Sequence, residues 1–252
     1  MNRLKRFCFD YIPTVLVFAA LIVMYKIGTE TEILDIYLFP KTEKIIESFQ
    51  KYLPQMVQNM LASFELLFPG MVGGTVVGLL IGVPLGLSER ARKIFHPVVY
   101  AFSVVPAILL SPFLLHLAPT FRIASTLMVF YNAIWAILFA SVNGIMAIDK
   151  RLLDKAATLQ IDGTERVFKV ILPATMPSMI GGFVTSMRSS FIILVYAEMC
   201  GTKFGMGYFV KWASDLGRFD NVWSGFLYMV VVLVVMMLIM EKIKDKLLRW
   251  AL

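Results

Sequence analysis

Leu66–Ser88 reads LLFPGMVGGTVVGLLIGVPLGLS, and no Asp, Glu, Lys or Arg interrupts it. An α-helix rises 1.5 Å per residue, so about 20 apolar residues cross the hydrocarbon core of a bilayer, and this run is long enough. Gly70, Gly74, Gly78, Gly82 and Gly86 recur at intervals of four within it. That spacing puts them on one slowly drifting stripe of the helix, where small residues let a second helix approach closely. The stripe reads first as helix packing and only second as a substrate contact. Pro84 is expected to bend the helix near its end.

The same charge-free character marks five further segments on either side. Tyr11–Tyr25 is the shortest, Pro97–Pro119 and Ile123–Ile148 contain no charge, Val170–Ala197 is broken only by Arg188, and Val222–Met240 is the last. The whole chain of 252 residues is 59% hydrophobic and 16% charged, with mean hydropathy +0.77. Soluble domains carry about a quarter charged residues, so the expected class is all-α: one polytopic membrane domain over 1–252 with six transmembrane helices. Arg3, Lys5 and Arg6 ahead of the short first run also resemble the start of a signal peptide, but no small-residue cleavage site follows Tyr25.

Charge orients the spans. With six spans and a cytoplasmic N-terminus, the inside segments are 1–10, 88–97, 149–169 and 241–252, and 15 of the 24 basic residues fall in them. This positive-inside bias places both termini in the cytoplasm. Eight acids share those segments, so the inner face alone carries the chain's net charge of +7. A basic chain whose excess lies at one membrane face needs no nucleic-acid partner.

Two extramembrane stretches exceed simple turns. On the outside, residues 28–58 carry Ile45, Ile46, Phe49, Tyr52 and Leu53 at helical spacing with Lys44, Glu47 and Lys51 between them. This predicts an interfacial helix lying on the membrane surface, with partner contact as the alternative. On the inside, residues 149–169 are densely charged and contain Ala156-Ala157-Thr158-Leu159 followed by Asp162-Gly163. Helix signals on both sides of a glycine predict two short helices joined by a turn.

No motif for binding and hydrolysing ATP lies within the chain. There is no Gly-x4-Gly-Lys-Ser/Thr phosphate loop, and His96 and His116 are the only histidines. Metal binding is therefore not expected, and Cys8 and Cys200 give no disulfide framework. Three charged groups lie in or beside the spans and are candidates for the translocation pathway: Glu65 near the outer start of the second, Arg188 within the fifth, and Glu198 at its outer end. Arg188 and Glu198 stand about 15 Å apart on a continuous helix and cannot pair within it. Arg188 suits a structural ion pair or carbonyl contact as well as a pathway role, and Glu198 suits a structural role at the interface.

Asp154-Lys155-Ala156-Ala157-Thr158-Leu159-Gln160 followed by Val170-Ile171-Leu172-Pro173 resembles the Glu-Ala-Ala, three residues, Gly, nine residues, Ile-x-Leu-Pro signature of bacterial ABC importer permeases. Asp154 stands at the signature Glu, Lys155 and Ala156 at the Ala positions, Gln160 at the Gly and Val170 at the Ile. Gln160 is the largest departure, and Gly163 three residues later is the alternative source of the turn. Leu38-Phe39-Pro40, Val83-Pro84-Leu85-Gly86-Leu87, Val105-Pro106, Arg188 through Ala197-Glu198-Met199, and Gly205-Met206-Gly207-Tyr208 are similar to the nitrate, sulfonate and taurine branch of that family. So is the basic amphipathic tail through Trp250.

The resemblance implies a type I ABC importer permease in the bacterial cytoplasmic (inner) membrane. It implies a homodimer with a second copy of this chain, two ATP-binding subunits carrying Mg-ATP below, and an extracytoplasmic solute-binding protein above. The permease itself would hold no cofactor and would not be an enzyme. The segment Asp154, Lys155, Ala156, Ala157, Thr158, Leu159, Gln160, Ile161, Asp162, Gly163 would be the coupling helix, with Ala156, Ala157 and Leu159 as apolar knobs and Asp154, Lys155 and Asp162 setting register by charge. Substrates of the branch are mostly small anions or small heterocycles. The competing readings are a gradient-driven secondary transporter or channel, which calls for an inverted repeat or paired interrupted helices carrying carboxylates, and a membrane-embedded enzyme, which calls for clustered catalytic groups.

Overall fold

The computed structural model describes the backbone of residues 2–250 and the side chains of 12–250. The side chains of Arg3, Lys5, Arg6, Cys8, Asp10 and Tyr11, which entered the reading above, lie outside the described ones. Among the described residues the chain is helical throughout. In order, α1 spans Asn2–Glu30, α2 Thr42–Leu87, α3 Glu89–Ser103, a 3-10 turn Ala107–Leu110, α4 Ser111–Leu117 and α5 Phe121–Met146. Then come α6 Lys150–Thr158, α7 Gly163–Arg166, a π turn Val167–Ile171, α8 Leu172–Gly201, α9 Met206–Asp215 and α10 Phe219–Leu247.

Five helices are long and apolar enough to cross a membrane: α1, α2, α5, the α7–α8 stretch and α10. The sixth span is a bent pair. Residues 89–117 form two helical arms meeting at 72°, where the sequence led us to expect one straight segment. The cause is Pro106, which lacks an N–H and disfavours helical geometry at Val105. At the break Phe102 O accepts from Val105 N at 3.2 Å and from the Tyr131 hydroxyl at 2.5 Å.

The glycine stripe of α2 packs along the whole length of α5. A Cβ at Gly74 would sit 2.5 Å from the Ala133 Cβ and 2.8 Å from Phe130 O; at Gly78 and Gly82 it would sit 2.9 Å from Ile134 O and 2.8 Å from Leu138 O. Gly70 meets Val129 and Gly86 meets Ile145 in the same way. All five glycines are buried against α5. On its other side α5 receives α8, with Gly182 against Ala140 and Gly144 against Ser178. The core then closes around Leu66, Leu67 and Met71 of α2, Val129 and Ala133 of α5, Met187, Phe191 and Leu194 of α8, and Met236 and Met237 of α10.

The outer stretch is a correction. No separate interfacial helix forms over 28–58: residues 28–30 end α1, residues 31–41 are turns and a short link, and Thr42 begins a helix that runs unbroken through Pro54, Pro69 and Pro84 to Leu87. The buried positions Ile45, Ser48, Met56, Asn59, Ser63, Leu66 and Gly70 continue one helical face across the expected boundary, so the chain has no reason to turn there. By contrast, α1 is exposed along most of its described length and is held at its end. Tyr25 donates to Pro40 O at 2.7 Å and its ring lies 5.5 Å from that of Trp223, whose indole donates to Leu38 O at 2.9 Å.

Candidate functional site

The loop between α5 and α8 folds as two short helices around a turn. Asp149 caps α6, its carboxylate accepting from Arg151 N at 2.8 Å. The C-terminus of α6 closes with the Gln160 N–H on Ala157 O and the Ile161 N–H on Ala156 O, both at 3.0 Å. This bond pattern is the Schellman arrangement, which requires a left-handed residue just past the helix end. Gln160 occupies that place with φ 57°, and Gly163 takes φ 59° at the start of α7. Gln160 thus holds a left-handed conformation that glycine would adopt without strain.

One expected knob is withdrawn. Ala156 is 3% exposed and faces its own chain, at the level of the helix end where the Ile161 N–H bonds its carbonyl. The exposed residues of the segment are Asp154, Lys155, Ala157, Thr158, Leu159, Gln160, Asp162 and Gly163, with Leu159 70% exposed. Phe168 in the π turn is also 68% exposed and was not singled out from the sequence. A lone aromatic between Arg166 and Lys169 was the available signal.

The three charged candidates in and near the spans separate. Glu65 is exposed and pairs with Arg122 at the start of α5, and the Arg122 guanidinium lies 4.9 Å from the centre of the Phe204 ring. Glu198 is fully buried, its Oε2 accepting from Gly207 N at 2.8 Å. Arg188 is exposed on a stripe of α8 with Thr185, Ile192, Tyr196 and Met199, spaced three and four residues apart. Among the described residues it makes no ion pair. Beside it, Asn132 Nδ2 donates to Ser189 Oγ at 2.8 Å and Ser190 Oγ at 3.0 Å, fixing α8 on α5. No group of three or more His, Cys, Asp or Glu among the described residues is placed to hold a metal.

Comparison with known proteins decides the family. Residues 74–250 match the family model described as binding-protein-dependent transport system inner membrane component. The chain belongs to this family of ABC importer permeases. Its relatives include the aliphatic sulfonates transport permease protein SsuC of Bacillus subtilis, 26% identical over 72% of this chain and 66% of that one. The nitrate import permease protein NrtB of Leptolyngbya laminosa is 25% identical over 68% of this chain and 61% of that one. The taurine transport system permease protein TauC of Escherichia coli is 22% identical over 77% and 70%. The match thus spans just under two thirds of the length of SsuC and of NrtB, and 70% of TauC. Among solved structures, a chain of the inward-facing MetNI methionine ABC transporter superposes with TM-score 0.67 at 17% identity, covering 80% of this permease and 98% of that chain. A chain of an amino acid ABC transporter gives 0.62 at 18% identity, covering 80% and 96%. The permease fold is therefore the type I importer fold, and the permease is a multi-pass inner-membrane protein.

Proposed function

We propose that the permease forms, with a second copy of itself, the translocation path of an ATP-driven importer for a small anion of the sulfonate, nitrate or taurine kind. The solute is delivered by an extracytoplasmic binding protein. ATP, with Mg, is hydrolysed on two separate subunits seated beneath the loop Asp154–Gly163. The names of the relatives support the substrate class, and the family's description supports dependence on a binding protein.

One observation carries the anion reading. Arg188 is the one charged residue on the exposed stripe of α8, and a lone cation at membrane depth is costly unless it meets a partner or an aqueous cavity. Two such stripes facing one another across the dimer would put an arginine on each side of the path. Glu65 and Glu198 are engaged elsewhere and are not part of it. The loop supports the coupling reading: Leu159 and Phe168 leave apolar surface at the inner end, and Asp154, Lys155 and Asp162 surround Leu159 with charges that can set register. A gradient-driven transporter is disfavoured, since the one bent span among the described residues breaks at Val104-Val105-Pro106 with no carboxylate there.

Uptake of labelled sulfonate, nitrate and taurine by Arg188→Lys and Arg188→Gln variants tests the path. The expected result is at least a tenfold loss with Gln and a smaller loss with Lys. Unchanged rate and selectivity in both would remove Arg188 from the path.

A further inference from the structure

Glu198 is used neither by the proposed path nor by the coupling loop, yet a carboxylate is among the most costly groups to bury. It belongs to a clasp around the start of α9. Asn59 Oδ1 of α2 accepts from Gly205 N at 3.1 Å, Ser63 Oγ of α2 accepts from Met206 N at 3.0 Å, and Glu198 Oε2 of α8 accepts from Gly207 N at 2.8 Å. Three consecutive amides at a helix start are thus taken by three side chains from two other helices. Such amides have no intrahelical partner, and the helix dipole favours a negative group beside them.

The fit leaves no room for slack. Gly205 has φ 108°, and a Cβ there would lie 2.5 and 2.6 Å from the two Glu198 carboxylate oxygens. A Cβ at Gly207 would strike Val195 O. The link from α8 to α9 is closed as well, with Thr202 Oγ1 at 3.0 Å from Glu198 O and 2.6 Å from Phe204 O. Glu198 Oε1 and Asn59 Nδ2 each lack a hydrogen-bond partner among the described residues.

The geometry points to Glu198 as a positioning residue that fastens α9 to the outer end of α8, so that α8, α9 and the outer part of α2 move as one body. This rests on the reading of the chain as an ATP-driven permease. At its inner end α8 is continuous with the coupling loop through the π turn Val167–Ile171. A displacement imposed there travels along α8 and reaches α9 with no flexible joint between.

The test uses the full permease assembled with its ATP-binding subunits in nanodiscs. ATP hydrolysis is measured with and without solute-loaded binding protein, and amide hydrogen exchange is followed at residues 205–207. Wild type should show slow exchange there and stimulated hydrolysis. Glu198→Ala should speed exchange at least tenfold and lose most of the stimulation while basal hydrolysis persists. Glu198→Gln, which keeps an acceptor, should retain both, and Gly205→Ala should reproduce the Ala defect with the carboxylate intact. Fast exchange at 205–207 in wild type, or full stimulation in both Glu198→Ala and Gly205→Ala, would overturn the clasp. Absence of stimulation in wild type would instead defeat the ATP-driven reading and leave the exchange result to judge the clasp alone.

Discussion

Gln160 shows how a departure from a family pattern is absorbed by backbone chemistry. Its φ of 57° places a side-chain-bearing residue in the left-handed region, which costs about 1–2 kcal/mol relative to the right-handed one. The two Schellman bonds it closes offset that cost. Gln160→Gly relieves the strain but loosens the unfolded chain, so a net gain of about 0.5–1 kcal/mol is expected, read as a rise in thermal midpoint of the purified permease. A fall would show that the Gln160 side chain contributes contacts of its own. Residue identity alone exposed the signature positions Asp154 to Gly163. It did not show that Ala156 faces inward, because that depends on how the loop closes. Nor could it separate Glu65, Arg188 and Glu198, since burial within an apolar segment is set by neighbouring helices.

At the scale of elements, the glycine stripe was legible because a four-residue repeat has one geometric meaning on a helix. The partner, α5, was not, since any apolar helix could have met the stripe. Gly74→Leu is expected to destabilise the permease by about 1–3 kcal/mol or more through overpacking against Ala133 and the Phe130 carbonyl. Thermal unfolding in detergent checks this, and an unchanged midpoint would mean α2 and α5 can part without loss. The division of the outer segment is not legible in the sequence, because amphipathic spacing over 45–53 looks the same in an interfacial helix and in the first turns of a longer one. What distinguishes them is whether the buried face continues past residue 58, and that face contains Asn59 and Ser63, polar residues whose burial only the α9 contacts explain. The 72° bend at Pro106 is not legible in the run length, because the apolar stretch continues through the proline without a charge.

For the whole molecule, composition fixed the membrane class and charge distribution chose a face, while the number and order of spans followed from run length. Assembly is where the chain points beyond itself. The Arg188 stripe of α8 is open at one level of the bundle, and Leu159 is open at its inner end, so each is placed for a different neighbour. The central claim is that Leu159 and the loop around it seat an ATP-binding subunit. The most direct measurement is isolation of the tagged permease from its native membranes in mild detergent, comparing wild type with Leu159→Glu and quantifying co-purified protein. The account predicts one ATP-binding subunit per permease in wild type and its loss in Leu159→Glu, with the variant still folded and membrane-inserted. A folded wild-type permease isolated without any ATP-binding protein, or a Leu159→Glu variant that retains it in full, would contradict the account.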